Sequence, residues 1–238
     1  LIVLPQELIN MKKFPNYNRL FSLIAVLILF FACATGYNKH SEQYYEEGLI
    51  FYERMEYDRA VDNFTKVLEL APYGSDNHKV YYNRAMAYLK NRQYDKSIYD
   101  FTKALETTPA ADRKLKFDIL DFRGTAYQKS NQFDNAIKDY SDAIAMMPEE
   151  KNIKYIYNNR AWSWYQKGED DKAIGDFNKA ISIDPQFDDS YYGRAFVWFK
   201  KEDPQRALID AKEAVKLKPG NKKYDDLLYE IKSSLNKQ

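Results

Sequence analysis

Residues 157–185, YNNRAWSWYQKGEDDKAIGDFNKAISIDP, decide the reading of this chain, because their pattern occurs five times. The copies close on Pro72, Pro109, Pro148, Pro185 and Pro219, spaced by 37, 39, 37 and 34 residues, so the unit is 34 residues with small insertions. A period of this length marks a helical repeat array. In each copy a large residue (Tyr44, Tyr81, Leu120, Tyr157, Tyr191) is followed four later by a small one (Gly48, Ala85, Gly124, Ala161, Ala195). Three residues further stands an aromatic: Phe51, Tyr88, Tyr127, Trp164 or Trp198. That spacing predicts one face of a first helix, with the small residue admitting a neighbour. A second stripe follows, Ala60, Ser97, Ala136, Ala173 or Ala207, then Phe64, Phe101, Tyr140, Phe177 or Ala211, then Val67, Ala104, Ala143, Ala180 or Ala214. It predicts a second helix, which the proline ends by lacking an N–H and by restricting the residue before it.

This pattern resembles the tetratricopeptide repeat, whose signature is aromatic, small, aromatic, then Ala-x3-Phe and a closing Pro. The resemblance covers Ser41 to Gly220 and implies an all-α fold, a right-handed superhelical solenoid of five helix-turn-helix repeats at about 41–74, 78–111, 117–150, 154–187 and 188–220. Ala211 lacks the aromatic, and Asp170 and Pro204 replace the aromatic seen as Tyr57, Tyr94 and Phe133, so the last repeat is expected to pack least well. Beyond it, Tyr224, Leu227, Leu228, Ile231 and Leu235 form one apolar stripe, a capping helix over residues 221–238.

The start of the chain carries a different signal. Lys12, Lys13 and Arg19 precede an apolar run, Leu20 to Ala34, that is shorter than a bilayer span and fits a secretory signal over residues 1–32. Translation is expected to begin at Met11. The single cysteine, Cys33, ends this run after Leu29, Phe30, Phe31 and Ala32, which resembles a bacterial lipoprotein signal with Cys33 as the lipidated residue. Phe30 and Phe31 depart from the Leu and the small residue preferred there. A cysteine filling a signal anchor is the competing reading. Residues 33–42 would tether the array to the membrane, and Ala34, in place of an aspartate, points to the outer membrane facing the periplasm where that sorting rule applies. A lone cysteine also excludes disulfide stapling.

Composition narrows the function classes. The formal net charge is +1, with 36 Lys and Arg scattered among 35 Asp and Glu, which leaves no electrostatic footprint for nucleic acid. His40 and His78 have no nearby histidine or cysteine to complete a metal site or a catalytic triad, and no phosphate-binding glycine loop is present. Asp58, Asp95, Asp134 and Asp171 recur just before the second helix, where an acid complements the helix N-terminus. No enzyme activity, cofactor or metal is expected.

Function then falls to surfaces. Flanking the core stripe of the first helices, on the side that the resemblance makes concave, stand Tyr45, Leu49 and Tyr52, then Tyr82, Met86 and Leu89, then polar Asp121, Thr125 and Gln128. The fourth repeat contributes Tyr155, Trp162 and Tyr165, and the fifth Tyr192, Phe196 and Phe199. They read either as two aromatic binding patches separated by a polar middle or as rings buried by tight winding. Trp162 is the leading groove candidate, since Trp164 fills the core slot and turns its neighbour elsewhere. The carboxylate clamp of some family members is not matched. Asn83 and Asn159 fit its middle asparagine, but Tyr45 and Leu49, or Asp121 and Thr125, occupy the first Lys and Asn slots. Asp118 and Phe122, or Asp189 and Gly193, occupy those of the basic pair. The reading is a membrane-anchored scaffold that binds an unidentified protein segment in its groove, in envelope assembly. The alternative is an accessory of solute uptake that binds a periplasmic binding protein or a small ligand.

Overall fold

The computed structural model describes residues 39–236, which form eleven α-helices joined by short turns. Met11, Cys33 and the signal segment lie outside the described residues. The described residues divide into two compact units that part between Val80 and Tyr81.

The first unit holds the hairpin of α1 (Lys39–Glu53) and α2 (Tyr57–Leu70). Ala60, Phe64 and Val67 are its fully buried stripe, as their spacing predicts. Gly48 is the small residue that permits it: a Cβ there would stand 2.7 Å from the Phe64 ring. Arg59 covers the other side, its guanidinium 3.7 Å above the Phe51 ring.

The second unit takes up α3 (Asn77–Lys90) from Tyr81 onward and continues through α4 (Tyr94–Thr107), α5 (Arg113–Lys129) and α6 (Phe133–Met146). Then come α7 (Ile153–Gln166), α8 (Asp170–Ile183), α9 (Asp188–Lys200), α10 (Pro204–Leu217) and the capping helix α11 (Lys222–Leu235). Successive helices pack in chain order, and the first helices of neighbouring hairpins also touch: α5 with α7, α7 with α9, α9 with α11. Phe101, Tyr140 and Phe177 are fully buried between the Ala stripes. Gly124 and Gly193 sit so close to Tyr140 and Phe177 that a Cβ would come within 2.8 and 2.4 Å of the rings.

A repeated ion pair ties each hairpin of this unit together. Arg84, Arg123, Arg160 and Arg194 on the first helices each donate through Nε to Asp100, Asp139, Asp176 and Asp210 on the second, at 2.6–2.7 Å. Three of them also donate through Nη1 to the second helix of the preceding hairpin: Arg123 to Thr102, Arg160 to Ser141, Arg194 to Asn178.

Helix ends follow local rules. Each second helix stops two residues before its proline, and the cap residue, Ala71, Thr108, Met147, Asp184 or Lys218, gives its N–H to the carbonyl four residues back. The recurrent acids lie inside the first turn of the second helix rather than before it, where Asp58, Asp95, Asp134 and Asp171 face the positive end of the helix dipole. Where Pro204 starts α10, Asp203 supplies a side-chain cap, accepting from the Arg206 N–H at 2.9 Å.

The expectation of a poorly packed last repeat is not met. Ala207, Ala211 and Ala214 are at most 1% exposed and share one core with Tyr224, Leu227 and Ile231. The capping helix brings the bulk that Ala211 lacks: Tyr224 is 1% exposed and stacks on Tyr192 at 5.1 Å. Leu228 and Leu235 complete the stripe from the edge of that core.

Candidate functional site

Each groove candidate occupies a defined environment. In the first unit, Tyr45 is half-buried with its ring 5.9 Å from Phe64, and Tyr52 meets Tyr57 edge-on at 5.6 Å. Burial pushes the Tyr52 hydroxyl above its ordinary pKa. In the second unit, Tyr82 leans on Phe101 and Phe122 at 5.9 and 6.2 Å, and Met86 and Leu89 pack on the same core.

The polar middle is less exposed than its composition suggests. Thr125 shares a hydrogen bond with the Tyr140 hydroxyl at 3.2 Å. Asp121 keeps one carboxylate oxygen without a hydrogen-bond partner, and burial, helped by nearby Asp118 and opposed by Lys114, raises its pKa to about 6. Gln128 donates to the Asn159 carbonyl at 2.8 Å and to Ser163 Oγ at 3.0 Å, joining α5 to α7.

The aromatic side chains of α7 and α9 form one ring cluster. Trp162 lies 5.5 Å from Phe177, 6.0 Å from Tyr165, 6.2 Å from Tyr192 and 5.7 Å from Phe196. Trp162 therefore does not turn away from the core because Trp164 fills it; it packs on Phe177 and is half-buried. Trp164 is also half-buried, with Lys172 4.5 Å from its ring. Tyr192 is only 8% exposed, held between Trp162 and Tyr224. Phe199 is partly buried against that core. Tyr155 stands apart at the start of α7, 46% exposed and edge-on to Phe187 at 4.9 Å. In the fourth repeat the position equivalent to Tyr82, Asp121 and Tyr192 belongs to Asn158, which accepts from Ser190 Oγ at 3.0 Å.

Beside this cluster opens a cavity of about 590 Å³ between α5, the α5–α6 turn, α7, α9 and α11. Its wall combines Trp162 and Tyr192 with the amides Gln128, Asn131, Asn158, Asn159 and Gln166. Charge enters through Lys129, Asp189 and Lys223. Lys223 hangs over the ring cluster, its ammonium 4.1 Å from the Tyr192 centroid and 5.8 Å from that of Trp162. Asp189 shares the Tyr224 hydroxyl with Asp188, at 2.6 and 2.7 Å. Burial first, and then these two carboxylates, drives the Tyr224 pKa far upward.

The aromatic stripe alone did not reveal this polar wall. Asn159 and Gln166, seven residues apart on one helix face, are legible in the sequence as amides, whereas Lys223 comes from the capping helix and carries no repeat signal. Among the described residues no three His, Cys, Asp or Glu side chains group to hold a metal. No described helix is long and apolar enough to cross a membrane.

Comparison with known families places tetratricopeptide repeat models on residues 78–109 and 117–149 and a TPR repeat model on residues 164–201. A comparison with curated proteins found no match. Among solved structures the chain is similar to YrrB, described as a TPR protein with an unusual peptide-binding site, at 22% identity and a TM-score of 0.63. The match covers 80% of this chain and 90% of that one. It is also similar to MamA, at 22% identity and a TM-score of 0.65 over 78% of this chain and 96% of that one. MamA 41-end from Desulfovibrio magneticus RS-1 matches at 15% identity and a TM-score of 0.67, over 79% and 99%. At these identities the likeness speaks for the fold.

Proposed function

We propose that this chain, a tetratricopeptide repeat protein, is a non-enzymatic scaffold that takes a segment of a partner protein into the cavity formed by the first helices of its second unit. The observation that carries the reading is the cavity itself. It combines aromatic contact area at Trp162 with several amides able to donate and accept, on helices held rigid by the Arg–Asp ladder. Aromatic area supplies binding energy and amide groups fix register. The peptide-binding site in the description of YrrB is compatible with this use of the fold.

The finer reading is that Cys33 carries lipid and holds the scaffold at a bacterial outer membrane, where it serves envelope assembly. Several acyl chains would be needed for stable anchoring. Metabolic labelling with an alkyne fatty acid should mark the native protein and leave Cys33→Ser unmarked; label on both would remove the anchor from the proposal.

Photo-crosslinking in the cells that make the protein tests the scaffold. A benzophenone amino acid at Gln166, on the cavity wall, should give a discrete protein adduct. The same group at Ile209, 68% exposed on α10 and outside the cavity wall, should not. Equal adducts at both places, or none at Gln166, would sink the cavity as the working surface.

A further inference from the structure

Resting on the scaffold reading, we infer that the segment bound in this cavity is acidic, and that Lys223 is the residue that receives its carboxylate. Three observations within the second unit carry this. Among the described residues, the side-chain amides of Asn131, Asn159 and Gln166 hydrogen-bond to nothing in the protein although all three line the cavity. An amide offers both donors and an acceptor, which matches the alternating N–H and C=O of an extended peptide backbone. Two ammonium groups, Lys129 and Lys223, line the same cavity, and among the described residues neither has a carboxylate within ion-pair distance. The adjacent Lys222, by contrast, pairs with Asp226 at 2.6 Å. Finally, the one carboxylate on the wall, Asp189, already accepts the Tyr224 hydroxyl at 2.6 Å.

The wall thus presents two ammonium groups against one carboxylate, Asp189, which shares the Tyr224 hydroxyl with Asp188, so its net charge is positive. Lys223 is the better placed cation. Its ammonium is 4.1 Å from the Tyr192 ring, which localises the head group while leaving its N–H donors without oxygen partners. A carboxylate arriving there would make charge-assisted hydrogen bonds beside the apolar face of Trp162, where partial desolvation strengthens them. A polypeptide fits better than a nucleic acid: the chain carries a formal net charge of only +1, and two lysines cannot follow a phosphate backbone.

The test is selection from a random-peptide display library on the full-length native protein and on Lys223→Glu in parallel. Lys223 is exposed, so the substitution leaves the fold intact, which circular dichroism checks. The native protein should enrich peptides containing Asp or Glu. The strongest of them, measured by anisotropy of a labelled synthetic copy, should bind about tenfold more weakly to Lys223→Glu. It should weaken similarly when its acidic residue is changed to the amide, and recover with Lys223→Arg. Peptides enriched without acidic residues, or bound equally by Lys223→Glu, would overturn the acidic-segment inference and leave the scaffold reading standing. Failure to enrich any peptide would overturn both.

Discussion

Arg123 and Asp139 meet across the α5–α6 hairpin in a two-pronged ion pair, with Nε donating to Oδ2 at 2.7 Å and Nη2 to Oδ1 at 2.8 Å. The remaining Nη1 donates to Thr102 of the preceding hairpin at 3.0 Å. One guanidinium thus fixes both the angle within a hairpin and the register between hairpins. The same spacing of sixteen residues recurs at Arg84–Asp100, Arg160–Asp176 and Arg194–Asp210. The first hairpin carries Glu47 and Asn63 at these positions.

Because the side chains of Arg123 and Asp139 are only 12% and 3% exposed, removing one partner strands the other charge in a poorly solvated place. Asp139→Ala should cost roughly 3–5 kcal/mol. Thr102→Ala loses the bond from Arg123 and the hydroxyl's own bond to the Ile98 carbonyl, and should cost about 1–2 kcal/mol. Urea unfolding followed by far-UV circular dichroism measures both. Equal, small losses would show the pair to be as weak as an exposed one.

Two glycines should respond in opposite directions. A Cβ at Gly193 would lie 2.4 Å from the ring of Phe177, which is fully buried and has nowhere to move, so Gly193→Ala should cost roughly 1–3 kcal/mol. Gly175 lies inside α8 with nothing near its missing Cβ, so Gly175→Ala should add about 0.5–1 kcal/mol through lower chain entropy. Thermal melts of the two variants beside the native protein decide the matter.

How much of this was readable depends on which physical signal writes each feature. Hairpin count, the Ala and aromatic stripes, the glycine approaches and the capping helix all rest on spacing along one helix, which a sequence displays directly. The Arg–Asp ladder is equally periodic, yet charged residues at helical spacing look like a solvated face until the structure shows the aspartates buried and the arginines nearly so. The cavity was harder still, because it depends on distances between helices and on Lys223, whose neighbours Tyr192 and Trp162 lie far away in the chain. Trp162 lines the cavity and packs on Phe177 as well, because two tryptophans two residues apart do not divide into core and surface when both flanking helices offer apolar partners.

The hairpin turns were also hidden. Met55, Arg92, Asn131, Gly168 and Glu202 each adopt a left-handed conformation, with φ between 58° and 78°, and only one of the five is glycine. A non-glycine residue there costs about 1 kcal/mol, partly offset in glycine by its larger unfolded-state entropy. Glu202→Gly, at an exposed turn, should therefore stabilise the α9–α10 hairpin by a few tenths to about 1 kcal/mol. A destabilised variant in the same urea titration would show that the glutamate side chain contributes more than its backbone costs.

Asp121 sets the pH behaviour of the polar middle. Its pKa is raised from 3.8 to about 6, chiefly by burial and then by Asp118, with Lys114 opposing. Between about pH 4 and 6 the folded chain therefore keeps a proton that the unfolded chain has released. The sign follows: this residue's contribution is most favourable below its unfolded pKa and is lost as the pH rises through about 6. At neutral pH the ionised, partly unpartnered carboxylate should lower stability by at most about 3 kcal/mol relative to a neutral side chain of the same shape. Asp121→Asn should accordingly unfold at higher urea than the native protein at pH 7.5, and the two should converge near pH 4. An Asn variant that is less stable at pH 7.5 would mean that the charged form is held by a favourable contact stronger than its desolvation, and the assignment of Asp121 as a strained acid would fall.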